Sequence, residues 1–333
     1  MSSGRLPEFA YLRPTTVKEV CALLDEHKPE ARVLAGGTEL LIRMRQRLST
    51  PQYLISLNGI SDLDYIDYDE DSGLTLGPLT TIQSLTDSPI VKHKYAVLAQ
   101  AAHQTSTLPL HHVSTVGGNI CADTRCIYCN QSSYWREVRP ACFKRGGDVC
   151  HAVKGGKHCH AVYQSDLAPA LMALEAEIRI SRTDGEKFVP IGKFFTGVGD
   201  KPNILEPDEI VTKIQLPYSG NLVGSYQKLR VREAMDFPLA SVAVILDVDE
   251  DKICRKARVI LGAVGPAPVE ASGAEDVLQG KRVDDGVIEE AAEEAFKTAH
   301  PVANLSIDAV YRRKMIPVLF RRAIKQALGR QGE

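Results

Sequence analysis

Ser114-Thr115-Val116-Gly117-Gly118-Asn119 and Ser165-Asp166-Leu167-Ala168-Pro169-Ala170-Leu171 stand on either side of residues 120–164, and how that interruption is read decides the fold. The first piece is a Gly-Gly turn approached by hydroxyl side chains. The second is a polar pair opening an apolar run. Within the interruption, from Cys126 to Cys159, are packed Cys126, Cys129, Cys142, Cys150 and Cys159, five of the eight cysteines in 333 residues. Three chemistries use such crowding: disulfides, zinc, or an iron–sulfur cluster. Met1 to Tyr11 carries no apolar run of the kind a secretory leader needs, so a reducing, cytoplasmic setting is expected and disulfides are disfavoured.

A metal site is therefore expected. Zinc modules pair their ligands as close knuckles on both sides of a loop, and only Cys126 and Cys129 make such a pair. Cys126, Cys142, Cys150 and Cys159 are instead separated by 15, 7 and 8 residues, so separate turns of a loop must wrap one centre. A bulky [4Fe-4S] cubane suits that wrapping better than one ion. Gly146, Gly147, Gly155 and Gly156 permit it, and Lys144, Arg145, Lys154 and Lys157 offset the negative charge of a thiolate-ligated cluster. Zinc and free cysteines remain open on these residues alone, and Cys121, Cys129 and the nearby histidines are expected to be bystanders.

The two flanking pieces are similar to the halves of one motif, T-[VI]-G-G-N then S-D-L-x-P, found in FAD-binding subunits of the molybdenum hydroxylase family. The cysteine segment then reads as an insertion, at about 121–163, into a flavin site. One branch of the family resembles this arrangement, with the same four-cysteine spacing: the FAD and [4Fe-4S] subunits of 4-hydroxybenzoyl-CoA reductases. That resemblance implies Cys126, Cys142, Cys150 and Cys159 as cluster ligands.

Two further loops fit the same cofactor. Ala31 to Ala35 reads as a short buried strand running into Gly36-Gly37-Thr38 and a helical run with Leu40, Leu41 and Met44. Strand, glycine pair and helix start can cradle a phosphate, although the pattern alone more often marks a tight connection and is no G-x-G-x-x-G fingerprint. Val33 to Leu41 resembles the family's A-G-G-[TH]-[DES]-L-L pyrophosphate loop, which implies Ala35, Gly36, Gly37, Thr38 and Glu39 as FAD contacts. Gly77-Pro78-Leu79-Thr80-Thr81 is similar to a G-A-x-T-T turn lining the flavin, implying Thr80 and Thr81. Ser114, Thr115, Gly117, Gly118 and Asn119 complete the set with Asp166, whose carboxylate can accept hydrogen bonds from sugar or ribityl hydroxyls.

The rest of the chain reads as scaffold. Thr16 with Glu19 forms a capping-box pattern before the stripe Val17, Val20, Cys21, Leu24. Pro190 to Gly197 and Pro207 to Pro217 resemble signatures at the end of the flavin domain. Pro, Ser, Asn and Gly punctuate Tyr218 to Gly224, after which come strands at Ser241 to Val248 and Ala257 to Val264 and helices at Asp285 to Thr298 and Ser306 to Leu328. This part resembles the C-terminal domain of the same flavoproteins; Lys228 falls near the flavin in it but reads as an edge-strand lysine. The expected fold is α+β: a two-lobed FAD-binding domain of the vanillyl-alcohol-oxidase-like (PCMH) type, with lobes at 1–58 and 59–218, and a C-terminal α+β domain at 219–333.

With 40 basic against 42 acidic residues, no net field favours nucleic acid or an anionic membrane, and no apolar run could span a bilayer. No Ser/His/Asp set or paired catalytic carboxylates can be made out, so substrate chemistry is expected on another chain. The resemblance implies a molybdenum-cofactor catalytic subunit, a small subunit with two [2Fe-2S] clusters, a dimer of heterotrimers, and ferredoxin as donor. Electrons would pass from the cluster to FAD and on to molybdenum, where 4-hydroxybenzoyl-CoA loses its hydroxyl. The alternatives are the FAD subunit of an oxidative molybdenum hydroxylase acting on an aldehyde or heteroaromatic, and a zinc-stabilised binding module.

Overall fold

The computed structural model describes residues 5–220 and 222–329. Met1 to Gly4, Asn221 and Arg330 to Glu333, which fall in the expected outer segments and the expected 218–224 boundary, lie outside the described residues. Three sheets of three or more strands organise the described residues, beside a two-stranded one of Phe195–Val198 and Lys201–Asn203.

The first is a parallel sheet in the order Ala10–Leu12, Tyr53–Ser56, Ala31–Leu34. Parallel neighbours require a crossover, and the helix Val17–His27 supplies one between the first two strands in sequence. Thr16 caps that helix by accepting from the Glu19 amide at 3.2 Å, but the Glu19 carboxylate reaches back to the Thr15 amide (2.6 Å) rather than to that of Thr16. The expected reciprocal box is thus displaced by one residue. Val20, Cys21 and Leu24 fall on the buried face, as their 3.6-residue period demands.

The second sheet is antiparallel, in the order Ile66–Asp69, Gly73–Leu76, Ile210–Leu216, Glu177–Arg182, Gly185–Pro190. Its apolar face packs against Ile82–Asp87, Ala96–His103 and Leu167–Ala173 to form the largest core. The third, also antiparallel, runs Val223–Leu229, Ala240–Val248, Cys254–Gly262, Val269–Glu270. Its strand Ala240–Val248 is apolar on both faces. Val242, Val244 and Leu246 meet the C-terminal helices, while Ala243 and Ile245 join the core of the second sheet. Alternate residues of a strand point oppositely, so one continuous apolar run glues two layers together.

The helices Asp285–Thr298 and Ala309–Ala327 cover the outer face. Arg312 is fully buried there and donates to the carbonyls of Leu239 (2.8 Å), Ala263 (2.6 Å) and Val302 (3.1 Å). A buried cation is tolerated only with its donors satisfied, and burial pulls this guanidinium down to about 10.

Candidate functional site

The three loops expected to share a ligand do converge. A cavity of about 1010 Å³ is lined by Ala35, Gly36, Gly37, Thr38 and Glu39, by Pro78 and Leu79, and by Ser114, Thr115, Gly117, Gly118 and Asn119. Ser165 and Asp166 line it as well. The backbone explains the convergence: Ile82 donates to the Ser114 carbonyl (2.9 Å), Val116 to Thr80 (2.9 Å) and Gly117 to Pro78 (2.8 Å), zipping the second loop to the third.

The glycines serve that zipping. A Cβ on Gly36 would stand 1.7 Å from the Val113 carbonyl oxygen, and one on Gly117 would stand 2.7 Å from Pro78 Cβ and 2.9 Å from its oxygen. Neither approach tolerates a side chain, so these two positions are glycine because loop meets loop, not only because loop meets ligand.

Thr80 and Thr81 do not reach the cavity. Thr80 is buried and donates its hydroxyl to the Tyr65 carbonyl (2.8 Å), while Thr81 caps the helix Ile82–Asp87 by accepting from the Ser84 amide (3.0 Å). Both side chains are spent on scaffold, and Pro78 and Leu79 form the wall instead.

The two motif halves meet across the interruption. Ser165 Oγ donates to Asn119 Oδ1 at 2.5 Å, and the Leu167 amide donates to the same oxygen at 3.2 Å. Arg125 and Val162 pair reciprocally through their backbones (2.7 and 2.8 Å), closing the neck of the inserted segment. Asp166 is more enclosed than a ribose-facing carboxylate would need to be. Its Oδ1 accepts from Tyr226 Oη (2.7 Å) and its Oδ2 from Lys228 Nζ (2.9 Å), and Lys228, which reads from sequence as a solvated edge lysine, has a fully buried side chain. Burial pushes the Asp166 carboxyl above its usual range, and Lys228 pulls against that.

Cys121 lines the large cavity, which its expected bystander role does not include. The other five cysteines of the segment converge on a second, small cavity, lined by Cys126, Cys129, Cys142, Cys150 and Cys159 with Lys144, His151 and His160. Cys129 stands among the expected ligands rather than apart from them. Burial pushes the Cys126 thiol up to about 12 and the Cys159 thiol up to about 11. Lys144 Nζ, bonded to Asp123 (2.5 Å), Thr124 (2.7 Å) and the Gly199 carbonyl (2.7 Å), brings a positive charge beside Cys129 and Cys159. The cavity these thiols line is small beside the first one. Among the described residues no group of three or more His, Cys, Asp or Glu is placed to hold a single metal ion.

Residues 7–219 match the family described as the FAD binding domain in molybdopterin dehydrogenase, and residues 224–327 match the CO dehydrogenase flavoprotein C-terminal domain. The chain belongs to the FAD-binding subunits of the molybdenum hydroxylase family. Its relatives there include the aldehyde oxidoreductase FAD-binding subunit PaoB of Escherichia coli K12, 30% identical over 96% of this chain and 99% of the relative. The carbon monoxide dehydrogenase medium chain of Hydrogenophaga pseudoflava is 28% identical over 97% of this chain and 98% of its own. A chain of the solved carbon monoxide dehydrogenase from that organism superposes with a TM-score of 0.80 over 98% of this chain and 100% of its own, at 26% identity.

The FAD-binding domain implies FAD, and the residues of the large cavity can be tested against it. The cavity is large enough for a cofactor-sized ligand, and Gly36, Gly37, Gly117 and Gly118 stand on its wall. Glu39 Oε1 and Arg43 Nη1 on its wall are buried without a partner. Bound there, FAD would supply hydride and single-electron chemistry; the chain's residues supply the cradle. No helix among the described residues is long and apolar enough to cross a membrane.

Proposed function

We propose that this chain is the electron-relay subunit of a molybdenum hydroxylase, holding FAD in the large cavity between the lobes 1–58 and 59–218, with 219–333 as the C-terminal domain. The observation that carries this reading is the convergence of residues 35–39, 78–79, 114–119 and 165–166 on one cavity within the FAD-binding fold. In this reading FAD is held by Ala35 to Glu39, Ser114, Thr115, Gly117, Gly118 and Asn119, with Asp166 at its edge. The sequence offers no Ser/His/Asp set or paired catalytic carboxylates for substrate chemistry, and in this reading a molybdenum-cofactor catalytic subunit and a small subunit with two [2Fe-2S] clusters are its partners, in a dimer of heterotrimers. The comparisons support an oxidative complex, since relatives bear the names aldehyde oxidoreductase, carbon monoxide dehydrogenase and xanthine dehydrogenase.

A second reading rests on a specific observation, the gathering of five cysteines at one cavity on an insertion. It is that Cys126, Cys142, Cys150 and Cys159 hold a [4Fe-4S] cluster, as in the 4-hydroxybenzoyl-CoA reductases the sequence resembles. A cubane can take four thiolates from separate turns of a loop, which agrees better than zinc with the 15, 7 and 8 residues between these cysteines. Ferredoxin would then be the donor, and the complex would run reductively to benzoyl-CoA.

The complex purified without oxygen tests both. Stoichiometric FAD with turnover of an aldehyde or purine and no iron beyond the [2Fe-2S] centres supports the first reading alone. Four further irons and sulfides, with turnover of 4-hydroxybenzoyl-CoA from a low-potential donor, support the second. A complex without flavin refutes both.

A further inference from the structure

We propose that Arg125 is a latch that closes the flavin cavity and sets how fast FAD leaves it. The inference rests on reading the large cavity as the FAD site. Arg125 stands where three parts of the chain meet. Its Nη2 donates to Glu39 Oε2 on the first loop at 2.6 Å. Its Cζ lies 3.9 Å from the centroid of the Phe237 ring, which belongs to the segment leading into strand Ala240–Val248. Its backbone is fixed by the reciprocal pair with Val162 at the neck of the insertion. Glu39, Arg125 and Phe237 all line the cavity.

The chemistry requires arginine. A planar guanidinium can lay its face on an aromatic ring while its edge donates to a carboxylate, which the ammonium of lysine cannot do with one group. The second oxygen of Glu39 is buried without a partner, and Arg43, the other cation nearby, is paired with Asp123. Among the described residues, Glu39 forms its ion pair with Arg125.

The far end of the latch would open without it. Val231, Met235 and Phe237 are exposed by 64%, 43% and 44%, so the segment buries little that would hold it down. Segments with few buried apolar contacts open at low cost, and here the cation over Phe237 holds such a segment against the cavity.

The experiment follows free flavin fluorescence after dilution of the FAD-loaded protein. Arg125→Ala and Phe237→Leu should each speed FAD release about tenfold, the scale of one partly desolvated cation–π and ion-pair contact. The double variant should release FAD no faster than Arg125→Ala, because both changes undo one latch. Arg125→Lys should fall between the parent and Arg125→Ala. Phe237 is half exposed, so Phe237→Leu folds even where Arg125→Ala does not, and an unchanged release rate in it overturns the proposal. Effects that multiply in the double variant also overturn it, since Phe237 would then hold FAD by a contact of its own. A parent protein that binds no FAD sinks the cavity reading and the latch together; a parent that binds FAD and loses it no more slowly than Arg125→Ala sinks the latch alone.

Discussion

Lys228 Nζ sits 2.9 Å from Asp166 Oδ2 with its side chain wholly buried, so an ion pair inside the protein ties the edge strand Val223–Leu229 to the start of helix Leu167–Ala173. The pair joins the C-terminal sheet to the residue that closes the flavin motif. Removing one member of a buried pair strands the other, at a cost of about 3–5 kcal/mol. Lys228→Met should therefore lower the urea midpoint markedly at pH 7, and Lys228→Met/Asp166→Leu should recover much of the loss. The pH dependence has a defined sign. Burial holds the Asp166 carboxyl above its ordinary 3.8, and loss of the lysine raises it further. A folded pKa above the unfolded one gives stability that is present below the unfolded value and lost as pH rises, so the variant should regain stability on acidification. Equal stability of Lys228→Met and its parent at pH 7 would show the pair to be idle.

The glycines of the cavity wall should rank by what a methyl group would strike. Gly36→Ala places Cβ 1.7 Å from a backbone oxygen, Gly117→Ala 2.7 Å from a proline carbon, and Gly118→Ala 2.9 Å from the Thr115 hydroxyl alone. Backbone cannot yield as a side chain can, so FAD per chain should fall most for Gly36→Ala, then Gly117→Ala, and least for Gly118→Ala, with circular dichroism preserved in the last. Full FAD in Gly36→Ala would separate the first loop from the site.

The positions of the loops could be read from residues, whereas the tasks of particular side chains could not. Helix Asp285–Thr298 matches its expected bounds because its periodicity is local. Strand Ala31–Leu34 and helix Ala309–Ala327 start or stop within a few residues of expectation. Thr80 and Thr81 were legible as part of a flavin-side turn, but which of its side chains face inward is set by the pairing of that turn with Ser114 and Val116, a tertiary fact. Lys228 escaped for a related reason: an edge strand is solvated only where no helix covers it, and here Gln104, at the end of Ala96–His103, accepts from its Nζ at 2.9 Å. Cys129 looked incidental because spacing along a loop does not say which turns fold back on one point. Arg125 had no signal at all, since its partners Glu39 and Phe237 are 86 and 112 positions away.

Glu275 should make the C-terminal region less stable as pH rises from about 4.5 to 7. Burial pushes its carboxyl up to about 7, although it accepts from the Val259 amide at 2.7 Å and neighbours Arg258. In that window the folded chain binds a proton that the unfolded chain has released, so stability falls with pH. Glu275→Gln keeps the oxygen that accepts from Val259 and removes the titration. Denaturation midpoints of this variant should be flatter than those of the parent between pH 4.5 and 7; matching slopes would assign the effect elsewhere.

The cysteine loop and the flavin should be separable, because the motif halves close on each other through Ser165 and Asn119 and the neck through Arg125 and Val162, all outside the thiol cavity. If the loop holds the proposed [4Fe-4S] cluster, Cys142→Ser and Cys150→Ser should lower iron and acid-labile sulfide by one cubane while FAD per chain is unchanged. Cys129→Ser is the sharper test. It shares the cavity with the four proposed ligands and lies one turn from Cys126, its amide donating to the Cys126 carbonyl at 3.0 Å. If Cys126 is the ligand, Cys129→Ser keeps iron and sulfide and Cys126→Ser loses them. The reverse result would transfer the ligand role to Cys129, and zinc in place of iron in the parent, with no broad visible absorbance beyond the flavin, would replace the cluster altogether. Direction of electron flow follows from the same protein. Removing a hydroxyl from an aromatic ring needs strongly reducing electrons, and iron–sulfur centres reach potentials down to about −700 mV. A redox titration should then place the cluster below the flavin; a cluster well above it would leave the oxidative reading standing and make the insertion a store for electrons rather than their entry.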